Sequence, residues 1–379
     1  MPKKNNAGQL LLVGSLLAAS TTAAMAGGKI MIDDTRWVSV GAGIRTSISS
    51  ASDSAPDGTS RSTNFDLENM RLYFAGQVAE GFKLYFNTDK MWGEYGVLDA
   101  IAAFEPNDKF NVWVGRMLVP ADRIEMNGPF YGLTWNQYTV PLFPSDNDPT
   151  NGANGVAGTY GRDEGVTAWG SLGKFQYAVG IFEGYSGTAN QSDDPLFATR
   201  LAYNFLNKEQ NPAYFTSSTY FGKAGDILTI GFAAQYQGDG YGTAAQTGSF
   251  TGIVIDGFFE KPLAGGSALT IEGEYKDFEV DTQATVRDFP MFDGKAYFAT
   301  GAYLIGGTKG VGKYQPYLRY TSNDPSVGES SSLTELGVNY VIDGHNLRLN
   351  LNYTTGDANA SGTKGADIDT ILFGMQYQI

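Results

Sequence analysis

Apolar and polar residues alternate along most of this chain. In residues 346–355 every second side chain is Leu or Tyr, and those between them are Arg, Asn or Thr. A period of two indicates a β-strand, because successive side chains point to opposite faces of a sheet. The same alternation surrounds Ala42, Phe232, Ile271 and Val338. The pattern therefore predicts an all-β protein.

Sixteen segments are predicted as strands, although those near Met70, Ala168 and Thr300 alternate poorly. They are centred near Ala42, Met70, Tyr85, Ala100, Val112, Ala168, Val179, Leu201, Phe232, Val254, Ile271, Thr300, Leu318, Val338, Leu349 and Phe373. Tight connections such as 79–81 alternate with long polar ones such as 49–63, although 207–226 is long where a short turn is expected. Short turns on one rim and long loops on the other are typical of outer-membrane barrels.

The polar strand faces decide between two readings of an all-β chain. They carry Arg, Glu, Asn and Gln in strand after strand, which a dry core would not accept. They suit the wet outside of a soluble sheet or the water-filled inside of a barrel. With the connection lengths, they favour a transmembrane antiparallel up-and-down β-barrel of about 16 strands.

The two ends of the chain indicate export to an outer membrane. Residues 1–26 have two early lysines, a short apolar run and the sequence Ala24-Met25-Ala26, as in a signal peptide cleaved after Ala26. The apolar run is too short to span a bilayer. Residues 27–379 are then one outer-membrane β-barrel domain. Residues 368–379 alternate and resemble the C-terminal strand of bacterial outer-membrane barrels, with Ile379 where Phe is usual.

Composition removes several classes of function. The chain has 49 Gly, no Cys and one His, with a formal net charge of −14. Disulfides and Cys- or multi-His metal centres are excluded, and the negative charge argues against nucleic-acid binding. His345 lies in a predicted tight turn, which is misplaced for the lipid-facing Ser–His pair of a barrel esterase. We therefore predict no enzyme and no cofactor.

Two stretches, residues 65–90 and 98–123, carry a set of spaced motifs: Arg71 with Gly76, then Leu98-Asp99-Ala100, then Gly115-Arg116 with Pro120. In these motifs the chain resembles the phosphate-selective porin O and P superfamily. The resemblance implies a sixteen-stranded, trimeric diffusion channel in the outer membrane. It does not carry over phosphate specificity, because the chain lacks a dense Arg and Lys ladder.

A long segment, 119–164, follows the fifth predicted strand, where porins carry a loop that folds into the lumen. Its five prolines cannot serve in central strands, and a loop of this length is usually functional. We predict that it is the constriction loop. Its candidate residues are Arg116, Asp122, Arg123, Glu125, Asp146 and Asp148. Arg116 and Arg123 could equally pair with neighbouring acids and only pin the loop.

Charged residues on the inward faces are the predicted pore lining. They are Arg45, Lys83, Asp99, Arg200, Asp256, Glu272, Glu274, Lys276, Arg319, Glu335 and Arg348. Their charges nearly cancel, and a pore selects by its diameter and lining charge. Acids concentrate in the long loops, where a negative vestibule would favour cations. The sequence thus predicts weak or mildly cation-preferring selectivity, although these acids equally suit solubility or divalent-ion bridging to lipopolysaccharide.

The predicted function is a water-filled channel for small hydrophilic solutes and ions. Its predicted partners are outer-membrane lipid, lipopolysaccharide, the solutes themselves and two further copies of the chain. The alternative from another class is a structural or partner-binding barrel with a plugged lumen, either adhesin-like or a sheath for a redox conduit.

Overall fold

A computed structural model describes residues 28–91, 94–143, 161–185, 189–209, 214–282 and 292–379. The predicted signal peptide and Asp146 and Asp148 lie outside the described residues. The strands are β1 (Gly28–Met31), β2 (Trp37–Ala51), β3 (Ser62–Ala79), β4 (Phe82–Met91), β5 (Glu94–Asn107), β6 (Phe110–Leu118), β7 (Arg162–Leu172), β8 (Phe175–Phe182), β9 (Leu196–Asn204), β10 (Ile227–Thr243), β11 (Gln246–Leu263), β12 (Ser267–Thr282), β13 (Gly294–Leu304), β14 (Lys313–Pro325), β15 (Ser331–Asp343), β16 (Leu347–Gly356) and β17 (Ile368–Gln378). The helix α1 (Arg123–Tyr131) lies between β6 and β7, and a 3-10 turn (Ala264–Gly266) joins β11 to β12.

Strands β2 to β17 form a closed antiparallel barrel. Each pairs with the next along the chain, and β17 closes the ring by pairing with β2, with Gly374 opposite Ser47. The short β1 pairs with the first residues of β2, beyond the end of β17. The predicted count of sixteen barrel strands is therefore confirmed, and every predicted centre lies within one of them. No helix in the described part of the chain is long and apolar enough to cross a membrane.

The two faces of the wall have opposite chemistry. On β16, Leu351 and Tyr353 are 55% and 41% exposed on the outside, whereas Arg348, Asn350 and Asn352 are at most 2% exposed inside. Other strands repeat this arrangement, with exposed Ile, Leu, Phe and Tyr facing outwards. A soluble protein would place its apolar residues inside. The wall instead has the apolar outer band and polar interior of a transmembrane barrel.

Two groups of aromatic side chains interrupt the polar interior. Trp113 lies 5.1 Å from Trp169 and 4.5 Å from Tyr214 between ring centroids. Phe143, in the connection after α1, lies 4.8 Å from Phe278 on β12 and near Phe250 on β11. Both groups join wall residues to residues from connecting segments, so these segments pack inside the barrel.

Candidate channel lumen

The local sequence explains where α1 begins and bends. Asp122 is its N-cap, because its side chain accepts a hydrogen bond from the backbone N–H of Glu125 at 3.0 Å. Such a cap satisfies one of the helix's free N–H groups. Gly128 has a φ of 65° and is followed by Pro129. A left-handed glycine before a proline breaks the helix into two pieces, which directs the following chain along the barrel wall.

Lys276 on β12 holds the start of α1. Its ammonium lies 2.5 Å from Asp122, 3.3 Å from Glu125 and 3.2 Å from Glu274. Burial alone would raise the pKa of Asp122, but Lys276 and the N–H of Glu125 lower it to about 2. Burial and the neighbouring Asp122 carboxylate hold the pKa of Glu125 well above its ordinary value. The pKa values of the two loop acids at one lysine are therefore shifted in opposite directions.

Arg123 joins the helix to two other regions. Its guanidinium forms a bidentate pair with Glu209 and donates to the backbone carbonyl of Ser217 at 2.9 Å. It also lies 3.6 Å from Asp256 on β11, which Arg200 on β9 contacts at 2.5 and 2.9 Å. The structure thus brings three predicted residues, Arg123, Arg200 and Asp256, into one buried network.

Residues 132–137, which follow α1, are held mainly through their backbone. Arg348 on β16 donates to the carbonyl of Gly132 at 2.6 Å, and Arg319 on β14 donates to that of Asn136. Arg45 on β2 donates to the carbonyl of Trp135 at 2.7 Å and stacks 4.1 Å from the Trp135 ring centroid. These three predicted lining residues face inward and are covered by the loop.

Wall glycines receive the aromatic side chains of the same loop. A Cβ atom at Gly374 would lie 2.5 Å from the Trp135 ring, and one at Gly252 would lie 2.5 Å from Phe143. Real Cβ atoms do not approach other atoms so closely. The absence of side chains at these positions therefore lets the loop lie flat against β17 and β11.

A second inward segment, residues 214–222, was not predicted. It belongs to the connection between β9 and β10, on the rim where the other turns are short. Glu260 on β11 accepts hydrogen bonds from the Thr219 hydroxyl at 2.9 Å, the Tyr220 N–H at 3.0 Å and the Gly222 N–H at 2.8 Å. The one sequence signal for this segment was the unexpected length of 207–226.

His345 lies beneath this inward segment. Its Nε2 is 3.0 Å from the carbonyl of Thr219 and 3.2 Å from the hydroxyl of Ser217, and Phe221 packs on its ring. Burial and the Arg348 charge lower the pKa of His345 to about 3. The imidazole is therefore neutral at physiological pH and packs as a structural side chain.

The remaining predicted residues occupy separate places on the wall. Lys83 on β4 pairs with Glu105 at 2.6 Å, Asp99 on β5 pairs with Arg162 at 3.3 Å, and Glu335 on β15 pairs with Arg319 at 2.6 Å. Glu272 on β12 and Arg116 near the end of β6 are buried. Together, these predicted residues are distributed around much of the wall.

Charge on the wall is sorted into two sectors. The acidic sector consists of Asp256 and Glu260 on β11 with Glu272 and Glu274 on β12. The basic sector consists of Arg45 on β2, Arg71 on β3 and Arg348 on β16. Strands β13–β15 separate the sectors on one side and β4–β10 on the other. Each sector also contains a counter-charge, because Lys276 on β12 lies beside Glu274 in the acidic sector and Asp89 on β4 pairs with Arg71 at the edge of the basic one.

The sequence pattern of a family described as phosphate-selective porin O and P matches residues 38–379. The chain belongs to this family. As a porin O and P protein with a barrel of this kind, it is an outer-membrane channel. No curated protein matches it in sequence.

Solved outer-membrane porins share the fold of this porin O and P family member at low sequence identity. The outer-membrane expressed OmpT of Vibrio cholerae is 14% identical, with a TM-score of 0.57 over 92% of this chain and 100% of that one. OmpF of Salmonella typhi, in a complex with daunomycin, is 11% identical, with a TM-score of 0.55 over 93% and 100%. OprB of Pseudomonas putida is 8% identical, with a TM-score of 0.57 over 90% and 94%.

Proposed function

We propose that this chain forms a homotrimeric, water-filled channel through which small hydrophilic solutes and ions diffuse, with weak or mildly cation-preferring selectivity. The observation that carries the proposal is a closed barrel with a charged interior and a helix-bearing loop folded inside it. Charged side chains in a barrel interior are costly unless they serve a polar path or pair with one another. We assign the conducting path to the wall and loop residues predicted from the sequence, within the described part of the chain.

The pairing of interior charges supports weak selectivity. Arg200 pairs with Asp256, Arg319 pairs with Glu335, and Lys276 is surrounded by carboxylates. A lining whose charges compensate one another discriminates little between anions and cations. The cation preference in the proposal rests on the excess of acids in the long loops, which would concentrate cations at the mouth.

Planar-bilayer recording tests both parts of this proposal. The purified protein should produce discrete ohmic current steps, and a potassium chloride gradient should give a reversal potential near zero or slightly on the cation side. A clearly anion-selective reversal potential would overturn the proposed ion preference and leave the channel itself standing.

A second candidate is a partner-binding barrel with a plugged lumen. It is favoured by the burial of inward side chains such as Glu335 and Arg348, which are 0% exposed beneath residues 132–137, the segment that follows α1. The same bilayer experiment separates the two candidates. A folded trimer that never gives current steps would favour the plugged barrel and contradict the channel.

Processing, assembly and membrane partners complete the proposal. We propose cleavage after Ala26, so that N-terminal sequencing of the mature protein starts at Gly27. The trimer is proposed from the family and from OmpT of Vibrio cholerae, one structure of which is described as a trimer form and is 13% identical, with a TM-score of 0.54 over 91% of this chain and 100% of that one. Native mass measurement in detergent tests it. The acidic loops are proposed to contact lipopolysaccharide through divalent ions, which chelation would release.

A further inference from the structure

The loop after β6 contacts much of the barrel wall from the inside. Besides its attachments to β2, β12, β14 and β16, it accepts a hydrogen bond at the carbonyl of Pro120 from Gln235 on β10, at 3.1 Å. Its Leu133 carbonyl accepts another from Asn339 on β15, at 2.8 Å. These contacts are spread around the wall from β10 to β2.

The inward segment 214–222 covers a different part of the wall, at β6 and β7. The Tyr214 ring lies 4.5 Å from that of Trp113 on β6 and 5.9 Å from that of Trp169 on β7, between centroids. Its hydroxyl donates to the carbonyl of Leu118, and the Phe215 ring lies 5.8 Å from that of Trp113. The other end of the segment is bound on β11, so the segment crosses the lumen.

Between its two ends the segment is hydrogen-bonded to α1. The Thr216 N–H donates to the carbonyl of Met126 at 3.2 Å, and the Ser218 N–H donates to that of Tyr131 at 3.1 Å. The Asn127 amide donates to the Ser218 hydroxyl at 2.6 Å. Two cavities that α1 and the segment line together have volumes of about 10 and 50 Å³, which hold single water molecules or small groups of them. The two elements thus form one layer with little room for a larger solute between them.

The end of the segment is bound to the wall through polar contacts. The buried Glu260 carboxylate accepts hydrogen bonds from the Thr219 hydroxyl and from the N–H groups of Tyr220 and Gly222. When such a contact opens, both partners can bond to water instead, so its net contribution to stability is small. Contacts of this kind suit an attachment that forms and breaks reversibly.

The backbone after this attachment has three left-handed residues close together. Phe221, Gly222 and Gly225 have φ values of 55°, 74° and 77°, shortly before β10 begins at Ile227. Glycine adopts this conformation at little cost, whereas a left-handed Phe is strained and persists only while its surroundings hold it. The Phe221 N–H donates to the Thr219 hydroxyl at 3.1 Å. Release of the segment would relieve this strain, which favours a hinge at 221–225.

We propose that segment 214–222 is a gate of this channel, with Glu260 as its latch and residues 221–225 as its hinge. While it is bound to α1, the segment closes the lumen beside β6 and β7, and solutes pass when it swings away. The inference rests on the proposed channel function and adds the regulation of that same channel.

A reversible cross-link tests whether the segment must move. The chain has no Cys, so Asn127→Cys with Ser218→Cys introduces a single thiol pair, at two side chains that are in contact. Formation of the disulfide, or of a link through a short bifunctional thiol reagent, should hold the channel in its closed current level. Reduction of the disulfide should restore opening.

A second thiol pair is the matched control. Thr139→Cys with Thr321→Cys joins the loop to β14, where the two hydroxyls lie 2.9 Å apart, and leaves the segment free. The oxidised control should open as often as the wild type.

Glu260→Gln tests the latch, because it replaces one accepting oxygen with an amide that donates. The ratio of open to closed time in bilayer recordings should rise about tenfold, as for the loss of one hydrogen bond to a charged group. Deuterium exchange of the amides in 219–222 should rise with it, and this is measured without any current. Glu279→Gln, at an exposed position of β12, should match the wild type in both.

The outcomes separate the gate from the channel. Equal currents from the oxidised and reduced Asn127→Cys and Ser218→Cys protein would overturn the gate and leave the channel. Unchanged open time and exchange in Glu260→Gln would overturn Glu260 as the latch. If the segment of Glu260→Gln exchanges freely and no variant ever gives current, the channel proposal itself fails.

Discussion

The acidic and basic sectors of the wall both hold the loop after β6, but they do so through different atoms. At the acidic sector, Lys276 contacts the side chains of Asp122 and Glu125 at the start of α1. At the basic sector, Arg45 and Arg348 donate to backbone carbonyls of the segment after the helix. The first attachment is made through side chains of the loop, whereas the second is made mainly through the loop backbone, together with the Trp135 ring that stacks on Arg45.

This difference predicts how each attachment responds to mutation. Three carboxyl groups surround one ammonium at Lys276, so loss of the cation leaves the buried Asp122 carboxylate without its counter-charge. An arginine that donates to a neutral carbonyl leaves only unsatisfied acceptors when it is removed. The acidic sector should therefore be the more sensitive of the two.

Lys276→Met should have the largest effect on stability. It keeps much of the side-chain volume but removes the charge that compensates Asp122 and that contacts Glu125 and Glu274. Loss of one partner of a buried ion pair costs about 3–5 kcal/mol, measured here as the free energy of unfolding in urea with lipid present. Lys295→Met, at an exposed position of β13, is the control. Equal stability of the two variants would contradict the role of the acidic sector.

Arg348→Met tests the basic sector. It removes donors to the carbonyls of Gly132 and Leu133 and to the side chain of Gln376. A cost of about 2 kcal/mol is expected, because hydrogen bonds to a charged group are worth about 1.5–3 kcal/mol. The same urea titration measures it. A loss of unfolding free energy as large as that of Lys276→Met would contradict the predicted difference between the two sectors.

Gly374→Val tests whether the close contact between β17 and the Trp135 ring matters for stability. The new side chain would collide with the Trp135 ring, whose nearest atom is 2.5 Å from the position of a Cβ atom. Overpacking of this kind costs about 1–3 kcal/mol, and Trp emission should shift as the ring moves. Gly301→Val is the control, because nothing lies within 4 Å of a Cβ atom there. Identical emission spectra would rule out displacement of the ring.

The barrel could be predicted from the sequence because its signal is local. Apolar and polar residues alternate at period two within most strands. All sixteen predicted centres fall inside barrel strands. The loop attachments could not be predicted in the same way. Arg45 and Arg348 were identified as inward-facing, but every residue has a carbonyl, so nothing in the sequence shows which carbonyl an arginine will reach.

Some inward-facing residues were not predicted as pore lining, for a related reason. Arg71 and Tyr73 lie on β3, where a register shift between Arg45 and Thr46 of the neighbouring β2 breaks the simple pairing. A bulge changes which residues face inward, so the alternation around Met70 was poor. Phe215 is part of the unpredicted inward segment, which the distant Glu260 holds through Thr219 and Tyr220.

Glu125→Gln should have the smallest effect of these variants. It tests which of the two loop acids at Lys276 supplies the counter-charge. Burial and Asp122 raise the pKa of Glu125, so its neutral form is favoured relative to that of an ordinary carboxyl, and glutamine reproduces the shape of that form. Asp122 differs, because its pKa is lowered from 3.8 to about 2. A lowered carboxyl pKa adds stability above the unfolded-state value and loses it as the pH falls through the folded-state value.

The two variants should therefore separate in a pH series of urea titrations. Glu125→Gln should remain within about 0.5 kcal/mol of wild type at pH 7, because the raised pKa of Glu125 lets a neutral side chain of the same shape replace the carboxyl at little cost. Asp122→Asn should lose about 2 kcal/mol at pH 7, the equivalent of its pKa shift, and should no longer show the stability loss of the wild type between about pH 4 and pH 2. If Glu125→Gln were the more damaging, Lys276 would take its counter-charge from Glu125, and the helix would be attached through its first turn instead of its cap.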